Sequence, residues 1–269
     1  MRIGKREFDT TNHTYIMGIL NVTPDSFSDG GRWNDYDAAM RHTEELLAGG
    51  TDVLDIGGES TRPGHQQISA AEEISRVTPL IEAVKKNFDV PVSIDTYKSE
   101  VAEAALRAGA DMVNDIWGFQ YDAKMAPLVK KYDAACCLMH NRNEVLYEDF
   151  LGDMCRDLQK CVDTAKAAGI GDDRILLDPG VGFGKTYEMN LDVMKHLDRF
   201  HALGYPLLLG TSRKSMIGLA LDLPADEREE GTLVTTVMAV QSGYGFVRVH
   251  DAEKNRRAIR MTETILRRA

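Results

Sequence analysis

One glycine-rich stretch, residues 178–186 (DPGVGFGKT), places a carboxylate, three glycines and a lysine directly after an apolar run. That run, residues 175–177, predicts a short buried strand. A carboxylate at the end of a buried strand is costly unless it has a partner, and glycines let a backbone approach a ligand closely. The stretch therefore suggests a ligand-binding loop. A strand-to-helix turn with a solvated Asp178 explains this segment alone equally well.

The end of the same stretch, Gly184, Lys185 and Thr186, looks like part of a phosphate-binding P-loop. That motif requires a glycine five residues before Gly184, and Pro179 stands there instead. A G-x-G-x-x-G motif is also absent from the sequence. Nucleotide binding is therefore disfavoured.

Polar side chains follow the other apolar runs of the chain as well. A single residue of this kind usually caps a helix, and capping is the favoured interpretation for Asp55 and Asp115. A ring of such residues around one mouth instead indicates a small-molecule enzyme site. The members of the ring are Asn21, Asp55, Asp95, Asn114, Asp115, His140, Asp178, Lys214, Arg248 and His250.

The residues of this ring form two sets that suit two different kinds of ligand. One part suits the edge of a flat heterocycle, because carboxylates accept from ring N–H groups and a lysine donates to a ring carbonyl. The other part suits phosphate, which arginine binds in a bidentate manner. Arg248 and His250 lie two apart on a predicted strand, so their side chains share one face. The first set is Asp95, Asn114, Asp178 and Lys214; the second is Asn21, Arg62, Arg248 and His250.

Eight apolar runs alternate with segments of helical spacing, which predicts parallel strands connected by helices. The predicted strands are 15–22, 52–56, 90–94, 111–115, 134–139, 175–177, 205–210 and 246–249. The predicted helices are 37–47, 70–86, 98–108, a shorter one near Pro127, 150–168, 190–203, 227–241 and 252–266. Eight such units favour an α/β fold, the (β/α)₈ TIM barrel, as a single domain over residues 1–269. An open doubly wound sheet is the alternative.

Composition excludes several other classes of protein. The formal net charge of -10 argues against non-specific nucleic-acid binding. The sequence has no apolar run long enough to cross a membrane and no apolar signal at its start. Its four cysteines form no C-x-x-C pair. We therefore expect a cytoplasmic enzyme with reduced thiols.

Five stretches together carry a resemblance to a known family. They are 18–31 (GILNVTPDSFSDGG), 57–64 (GGESTRPG), 178–185 (DPGVGFGK), 212–215 (SRKS) and 248–250 (RVH). In order and content, the sequence resembles the dihydropteroate synthases of the folate pathway. The resemblance implies a (β/α)₈ barrel that joins (7,8-dihydropterin-6-yl)methyl diphosphate to 4-aminobenzoate. The products would be 7,8-dihydropteroate and diphosphate, with Mg²⁺ assisting.

The resemblance also implies a role for each matching residue. The pterin would be held by Asp95, Asn114, Ile116, Met139, Asp178, Gly182, Phe183 and Lys214. The diphosphate would be held by Asn21, Thr61, Arg62, Arg248 and His250, with Asn21 also binding the metal. The aminobenzoate would be surrounded by Phe27, Thr61, Pro63, Phe183, Lys214 and Ser215. Catalysis would fall to Asp95, Asp29 and Lys214. Ile116 and Met139 also suit an ordinary core.

A dissociative route, in which diphosphate leaves first, is favoured over direct displacement; by the resemblance, Asp95 and Asp29 would stabilise the cation on the pterin methylene. Two alternatives are a catalytically silent pterin-binding paralogue and a methyltetrahydrofolate-dependent methyltransferase. The latter would not need the residues 61–64 (TRPG) or 212–215 (SRKS). Family resemblance further implies a homodimer through the apolar helix 227–241, for which a barrel-facing stripe is the simpler interpretation.

Overall fold

The computed structural model describes residues 1–22, 31–60 and 67–267, with the backbone alone for residues 31–35. Some predicted site residues lie outside the described residues: Phe27, Asp29, Thr61, Arg62 and Pro63. The remaining predicted site residues are all described.

Eight parallel strands form the centre of the molecule, as predicted. The chain begins with a two-stranded antiparallel hairpin, β1 (Arg2–Ile3) and β2 (Arg6–Glu7). The parallel strands are β3 (Tyr15–Asn21), β4 (Val53–Gly57), β5 (Val92–Asp95), β6 (Met112–Asp115), β7 (Ala135–Met139), β8 (Ile175–Asp178), β9 (Leu208–Leu209) and β10 (Phe246–Val249). They pair in the order β8-β7-β6-β5-β4-β3-β10-β9. A parallel bridge between Leu177 and Leu207 joins the two ends, so the sheet closes into a barrel.

Helices follow the strands and cover the outside of the barrel. They are α1 (Gly31–Ala48), α2 (Ala70–Asn87), α3 (Ser99–Arg107), α4 (Met125–Lys131), α5 (Phe150–Ala167), α6 (Tyr187–Lys195), α7 (Ser215–Leu221), α8 (Glu229–Gln241) and α9 (Ala252–Leu266). Ser69 begins α2 as predicted, because its hydroxyl accepts from the Glu72 N–H at 3.2 Å. Across the described ranges, no helix is long and apolar enough to cross a membrane.

Successive residues of each strand point to opposite faces, so the barrel has two apolar layers. The outer layer packs between strands and helices; Ile16, Leu54 and Val113 belong to it. The inner layer fills the barrel and consists of the neighbouring residues Met17, Val53, Met112, Ala135, Cys137, Leu176, Leu208 and Phe246. This alternation decides which polar residues at the strand ends enter the barrel mouth.

The N-terminal hairpin closes the amino end of the barrel. Ile3 and Phe8 are buried in the inner layer, and the Phe8 ring lies 4.8 Å from Tyr15 and 5.4 Å from Phe246. Its two-residue strands are too short for a periodicity signal, and the sequence did not predict them. With the amino end filled by apolar side chains, the opposite mouth is left for polar ones.

Two helix predictions need correction. The predicted helix 190–203 is instead α6 followed by a 3-10 segment, Leu197–Leu203. The break lies at His196, whose ψ of 35° has left the helical region. Helix α7 was not predicted, since its seven residues make only about two helical turns, too few for a clear periodicity.

Candidate active site

The polar residues at the carboxyl ends of the strands divide by which face of the strand they occupy. Residues two or four positions beyond an inner-layer residue point into the mouth. Asp55 follows Val53 in this way, and Arg248 follows Phe246. The inner-face positions at this end include Asn21, Asp55, Asp95, Asn114, Met139, Asp178, Gly210, Arg248 and His250. The structure therefore brings the predicted pterin and diphosphate residues of the strands to one mouth.

Arg248 joins two carboxylates at the centre of this mouth. Its Nε donates to Asp55 Oδ2 and its Nη2 to Asp95 Oδ2, each at 2.6 Å. Both carboxylates are buried. Burial raises the pKa of Asp95 to about 7; the Arg248 charge opposes the rise and the Asp55 charge adds to it. One cation thus serves two acids and holds Asp95 in a fixed orientation.

Each of these carboxylates keeps one oxygen available. Asp55 Oδ1 and Asp95 Oδ1 are buried and have no hydrogen-bond partner within residues 1–22, 31–60 and 67–267. An unpaired buried carboxylate oxygen is costly, typically by about 1–3 kcal/mol or more. A ligand that brings N–H groups or positive charge to Asp95 would relieve that cost.

The prediction that Asp55 caps a helix is wrong. Its side chain accepts from Arg248 and, at 3.2 Å, from Asn114 Nδ2. Asp115 does not cap a helix either, because α4 begins only at Met125; it accepts from the N–H groups of Trp117 at 2.8 Å and Phe119 at 3.0 Å in the turn after β6. Its outer-face position next to Val113 accounts for the difference, and the strand alternation in the sequence carried that signal.

Asp178 lies on the next part of the mouth and is held by its own loop. Its Oδ1 accepts from the Gly180 N–H at 2.7 Å. A methyl group on Gly210 would come within 3.4 Å of Asp178 Oδ2, so the glycine leaves that oxygen room for a ligand. Burial raises the pKa of Asp178, and the Lys214 charge opposes the rise.

Lys214 reaches the site from the residue before α7. Its Nζ donates to the carbonyl oxygen of Val181 and lies 4.6 Å from the centre of the Phe183 ring. Its stem passes Gly182, on which a methyl group would come within 3.2 Å of Lys214 Cδ. Burial lowers the pKa of Lys214 to about 8, while Asp178 favours the charged form. Ser215, the first residue of α7, is exposed.

An apolar wall stands beside these polar groups. Tyr97, Ile116 and Met139 form a small buried cluster that is separate from both barrel layers, with Trp117 and Phe183 packed against it. Ordinary core residues would join one of the two larger clusters. Their separation favours the interpretation of Ile116 and Met139 as the wall of a site for a flat ring.

The two remaining predicted residues lie on neighbouring strand ends. His250 Nδ1 is 2.9 Å from Ser212 Oγ, which places the imidazole against the loop that carries Lys214. Asn21 Oδ1 lies beside Gly57, where an added methyl group would be 3.5 Å from it and 3.5 Å from Asp95 Cβ. The described residues contain no group of three or more His, Cys, Asp or Glu side chains that would hold a metal.

Sequence reasoning missed Lys185 and Tyr97. Lys185 Nζ lies 2.9 Å from the His140 ring and donates to two carbonyl oxygens of the glycine loop. Tyr97 donates to Glu59 Oε1 at 2.6 Å while its ring lines the wall. The position of Lys185 at the end of the glycine-rich stretch was the available signal.

Comparison with known proteins identifies the family of this chain. Residues 17–250 match the family model for pterin binding enzymes. A dihydropteroate synthase of Clostridium beijerinckii is 57% identical over 269 residues, with all of both chains covered. A dihydropteroate synthase structure from Clostridium difficile, obtained in the presence of pteroic acid, has a TM-score of 0.95 at 48% identity, covering 97% of this chain and 100% of that one.

A third similar protein is the dihydropteroate synthase of Xanthomonas albilineans, whose structure contains 4-aminobenzoic acid. It has a TM-score of 0.90 at 39% identity and covers 94% of this chain and 93% of its own. These similarities in sequence and in fold extend over nearly the whole length of the chain. The chain belongs to the pterin-binding enzyme family and, within it, to the dihydropteroate synthases.

Proposed function

We propose that the residues of the barrel mouth bind (7,8-dihydropterin-6-yl)methyl diphosphate and 4-aminobenzoate and catalyse their condensation through a cation on the pterin methylene. One observation carries the proposal. Asp95, Asp178 and Lys214 converge on one mouth, next to an apolar wall separate from the core. The synthase activity of the close relatives makes the methyltransferase alternative the less favoured one.

The pterin ring would lie against the wall of Ile116 and Met139 with its polar edge toward the strands. Asp178 Oδ2, beside the open space at Gly210, suits the adjacent N–H groups of the 2-amino-4-oxo edge. The Lys214 ammonium suits the ring carbonyl. Asn114, whose amide N–H is engaged by Asp55, would offer its oxygen to a ring N–H.

Catalysis would depend on Asp95. The bond between the methylene carbon and the diphosphate oxygen breaks, both electrons leave with diphosphate, and a cation forms that is delocalised into the pterin. Asp95 Oδ1, buried and without a partner among the described residues, meets this developing charge. The amine lone pair of 4-aminobenzoate then forms the carbon–nitrogen bond, and the nitrogen loses its proton to water.

Arg248, His250 and Asn21 would receive the diphosphate. Arg248 is held by two carboxylates, which reduces its net charge toward an incoming anion but fixes its position. Asn21 provides a neutral oxygen of the kind that Mg²⁺ accepts, and Mg²⁺ commonly keeps waters and phosphate oxygens as its other ligands. A single protein oxygen at this strand end fits such an ion, which would neutralise charge on the leaving group.

The 4-aminobenzoate would lie between Phe183 and the start of α7. The Lys214 ammonium over the Phe183 ring and the exposed Ser215 hydroxyl suit an aromatic carboxylate. The 4-aminobenzoic acid in the similar Xanthomonas albilineans structure supports 4-aminobenzoate as the second substrate. We also propose that the enzyme works in the cytoplasm.

A homodimer through α8 completes the proposal. The face of α8 that is buried against the barrel consists mostly of polar residues, including Thr232, Thr235 and Thr236. Its apolar Val234 is 61% exposed, and Leu219 of α7 is 67% exposed. This arrangement is the reverse of a barrel-facing apolar stripe, and exposed apolar surface of this kind is typical of an interface.

The test is an assay of diphosphate release from the pterin diphosphate with and without 4-aminobenzoate. We expect release to depend on the amine and to match the dihydropteroate formed. Binding of both substrates without release would identify a catalytically silent pterin-binding protein and overturn the proposal.

A further inference from the structure

Lys185 has an unusual set of partners for a lysine near an active site. Its Nζ donates to Gly180 O at 2.9 Å and to Phe183 O at 2.8 Å, and lies 2.9 Å from His140 Nδ1. An ammonium group has three N–H donors, so these three acceptors match it completely. The side chain therefore turns back under the loop that precedes it in the sequence.

His140 supports this arrangement as a neutral acceptor. It is buried, and burial lowers its pKa to about 4. With Nδ1 accepting from Lys185, the ring hydrogen lies on Nε2, which faces Asp157 Oδ2 at 3.4 Å. Asp157 is held in turn by Arg142 Nε at 2.6 Å. The lysine is thus anchored to His140 at the end of β7, beside the Arg142–Asp157 pair.

The loop tied by Lys185 has only two side chains to pack among its three glycines: Val181, which is buried in the core, and Phe183, which lies against the apolar wall. Gly180, Gly182 and Gly184 all have positive φ, at 67°, 90° and 57°. Gly180 lies so close to the next strand end that a methyl group there would be 2.0 Å from His140 O. The two carbonyls that Lys185 binds flank the turn between Gly180 and Phe183, so one ammonium fixes both of its ends.

We propose that Lys185 is a positioning residue for the 4-aminobenzoate site, holding the Phe183 ring through the Gly180 and Phe183 carbonyls. The inference rests on the proposed function, since it assumes that Phe183 contacts the aminobenzoate. Lys214 donates to Val181 O within the same turn, so its ammonium is also placed by this loop. Asp178 meets the same turn through the Gly180 N–H, but Asp95 is held by Arg248 and Asn114 by Asp55, so the pterin keeps partners that Lys185 does not hold.

The acidic groups near Lys185 do not account for its position, because neither of them binds its ammonium directly. Burial lowers the pKa of Lys185 to about 7; the charges of Lys214 and Arg142 add to this drop, and those of Asp178 and Asp157 oppose it. Neither acid makes a direct hydrogen bond to Lys185 Nζ among the described residues. Its direct contacts are with the loop and with His140, which is the pattern of a clamp and not of an ion pair.

The test compares Lys185→Met with Lys195→Met, a matched control that removes an exposed lysine of α6. Calorimetric titration measures the affinity for a pterin analogue and, with pterin analogue and diphosphate present, for 4-aminobenzoate. We expect Lys185→Met to weaken aminobenzoate binding by about tenfold or more and pterin binding by less than about threefold. Lys195→Met should change neither.

Equal loss of both affinities, or no loss of either, would overturn the positioning role, since a purely structural contact lowers thermal stability without selecting one ligand. If Lys185→Met does not fold, Lys185→Gln keeps two amide N–H donors in a smaller side chain and should show the same selectivity, reduced in size. Because affinity is measured by calorimetry, this result is separate from turnover. A wild-type chain that binds both ligands without turnover contradicts the proposed function and leaves the Lys185 measurement intact.

Discussion

At the scale of single residues, the contacts of Asp178 and Asp95 separate two tasks. Asp178 Oδ1 is bound to Gly180 N–H, which leaves Oδ2 for the pterin edge. Asp95 Oδ2 is bound to Arg248, which leaves a buried Oδ1 for developing positive charge. In the proposed mechanism, the first contact would serve binding and the second would serve the transition state.

Asp178→Asn should weaken pterin binding without unfolding the barrel. The amide oxygen can keep the Gly180 hydrogen bond, so the amide N–H₂ occupies the position of Oδ2 and faces the N–H groups of the pterin. Loss of a charged hydrogen-bond partner costs about 1.5–3 kcal/mol. Calorimetric titration with a pterin analogue measures the change, with the exposed Asp163→Asn as control. Unchanged affinity would remove Asp178 from the site.

The lowered pKa of Lys214 predicts that activity falls at alkaline pH. Its pKa is lowered to about 8 by burial, so the ammonium is present below that pH and is lost as pH rises through it. The value of kcat/KM should therefore fall above about pH 8, since this ratio reports the free enzyme. Lys214→Arg keeps its charge and should flatten this limb while lowering activity overall. An identical alkaline limb in both proteins would assign the titration to another group.

Much of the site at this scale was predictable from residue type and strand position. Asn114, Asp178 and Arg248 reach the mouth because each lies two residues beyond an inner-layer side chain. The link from Arg248 to Asp55 was not predictable, because 193 residues separate the pair and only barrel closure brings them together. The contacts of Lys185 depend on the left-handed turns of the glycine loop, which sequence pattern does not determine.

At the scale of elements, the glycine loop and α8 hold the site from two sides. Arg213, which precedes Lys214, has a φ of 56°, a left-handed conformation that costs a non-glycine residue energy. Helix α8 supports it, because Thr232 Oγ1 accepts from Arg213 N–H at 3.1 Å and Arg228 donates to Arg213 O at 3.0 Å. The polar face of α8 therefore holds the loop before α7 that carries Arg213 and Lys214.

Gly180→Ala and Gly204→Ala form a matched pair for the glycine loop. Both glycines have positive φ, at 67° and 77°, so alanine is strained at each by about 1–2 kcal/mol. A methyl group at Gly180 would also overlap the His140 carbonyl, whereas Gly204 has nothing within 4 Å. Thermal unfolding and aminobenzoate titration should show a larger loss of stability and of binding for Gly180→Ala. Equal losses in the two variants would mean that the glycine loop can shift away from the His140 carbonyl without affecting stability or aminobenzoate binding.

The elements that were predicted and those that were missed differ in length. The parallel strands are short, yet most are largely apolar runs bounded by turn residues, which is the pattern of a strand buried on both faces. The hairpin of β1 and β2 and helix α7 are too short for their periodicity to show. The 3-10 segment after α6 follows from local geometry at His196, which the sequence pattern of residues 190–203 does not reveal.

At the scale of the whole molecule, the barrel separates stability from chemistry. Its amino end is closed by Ile3 and Phe8, and its carboxyl mouth gathers the inner-face polar groups. The outer surface adds a third feature, the exposed apolar residues of α7, α8 and α9. These include Leu219, Val234, Met261 and Ile265.

Val234→Asp should convert the proposed homodimer into a monomer that keeps its fold. A buried charge at an apolar interface is costly, whereas the same charge on an exposed surface is tolerated. Leu146→Asp is the control, because Leu146 is 67% exposed and lies outside these helices. Sedimentation velocity measures the result. A dimer that survives Val234→Asp, or a wild-type monomer, would contradict an interface at α8.

The central claim is that this mouth carries out the condensation by stabilising a pterin cation with Asp95. Single-turnover measurement of dihydropteroate formation, in wild type and in Asp95→Asn, tests the reaction and the residue together. Asp115→Asn is the control, because Asp115 is also buried, with its pKa raised to about 7, yet contacts only its own turn. We predict product from wild type, a loss of about hundredfold or more in the rate for Asp95→Asn with pterin affinity nearly kept, and a far smaller effect for Asp115→Asn. Absence of product from wild type, or an unchanged rate in Asp95→Asn, would contradict the account.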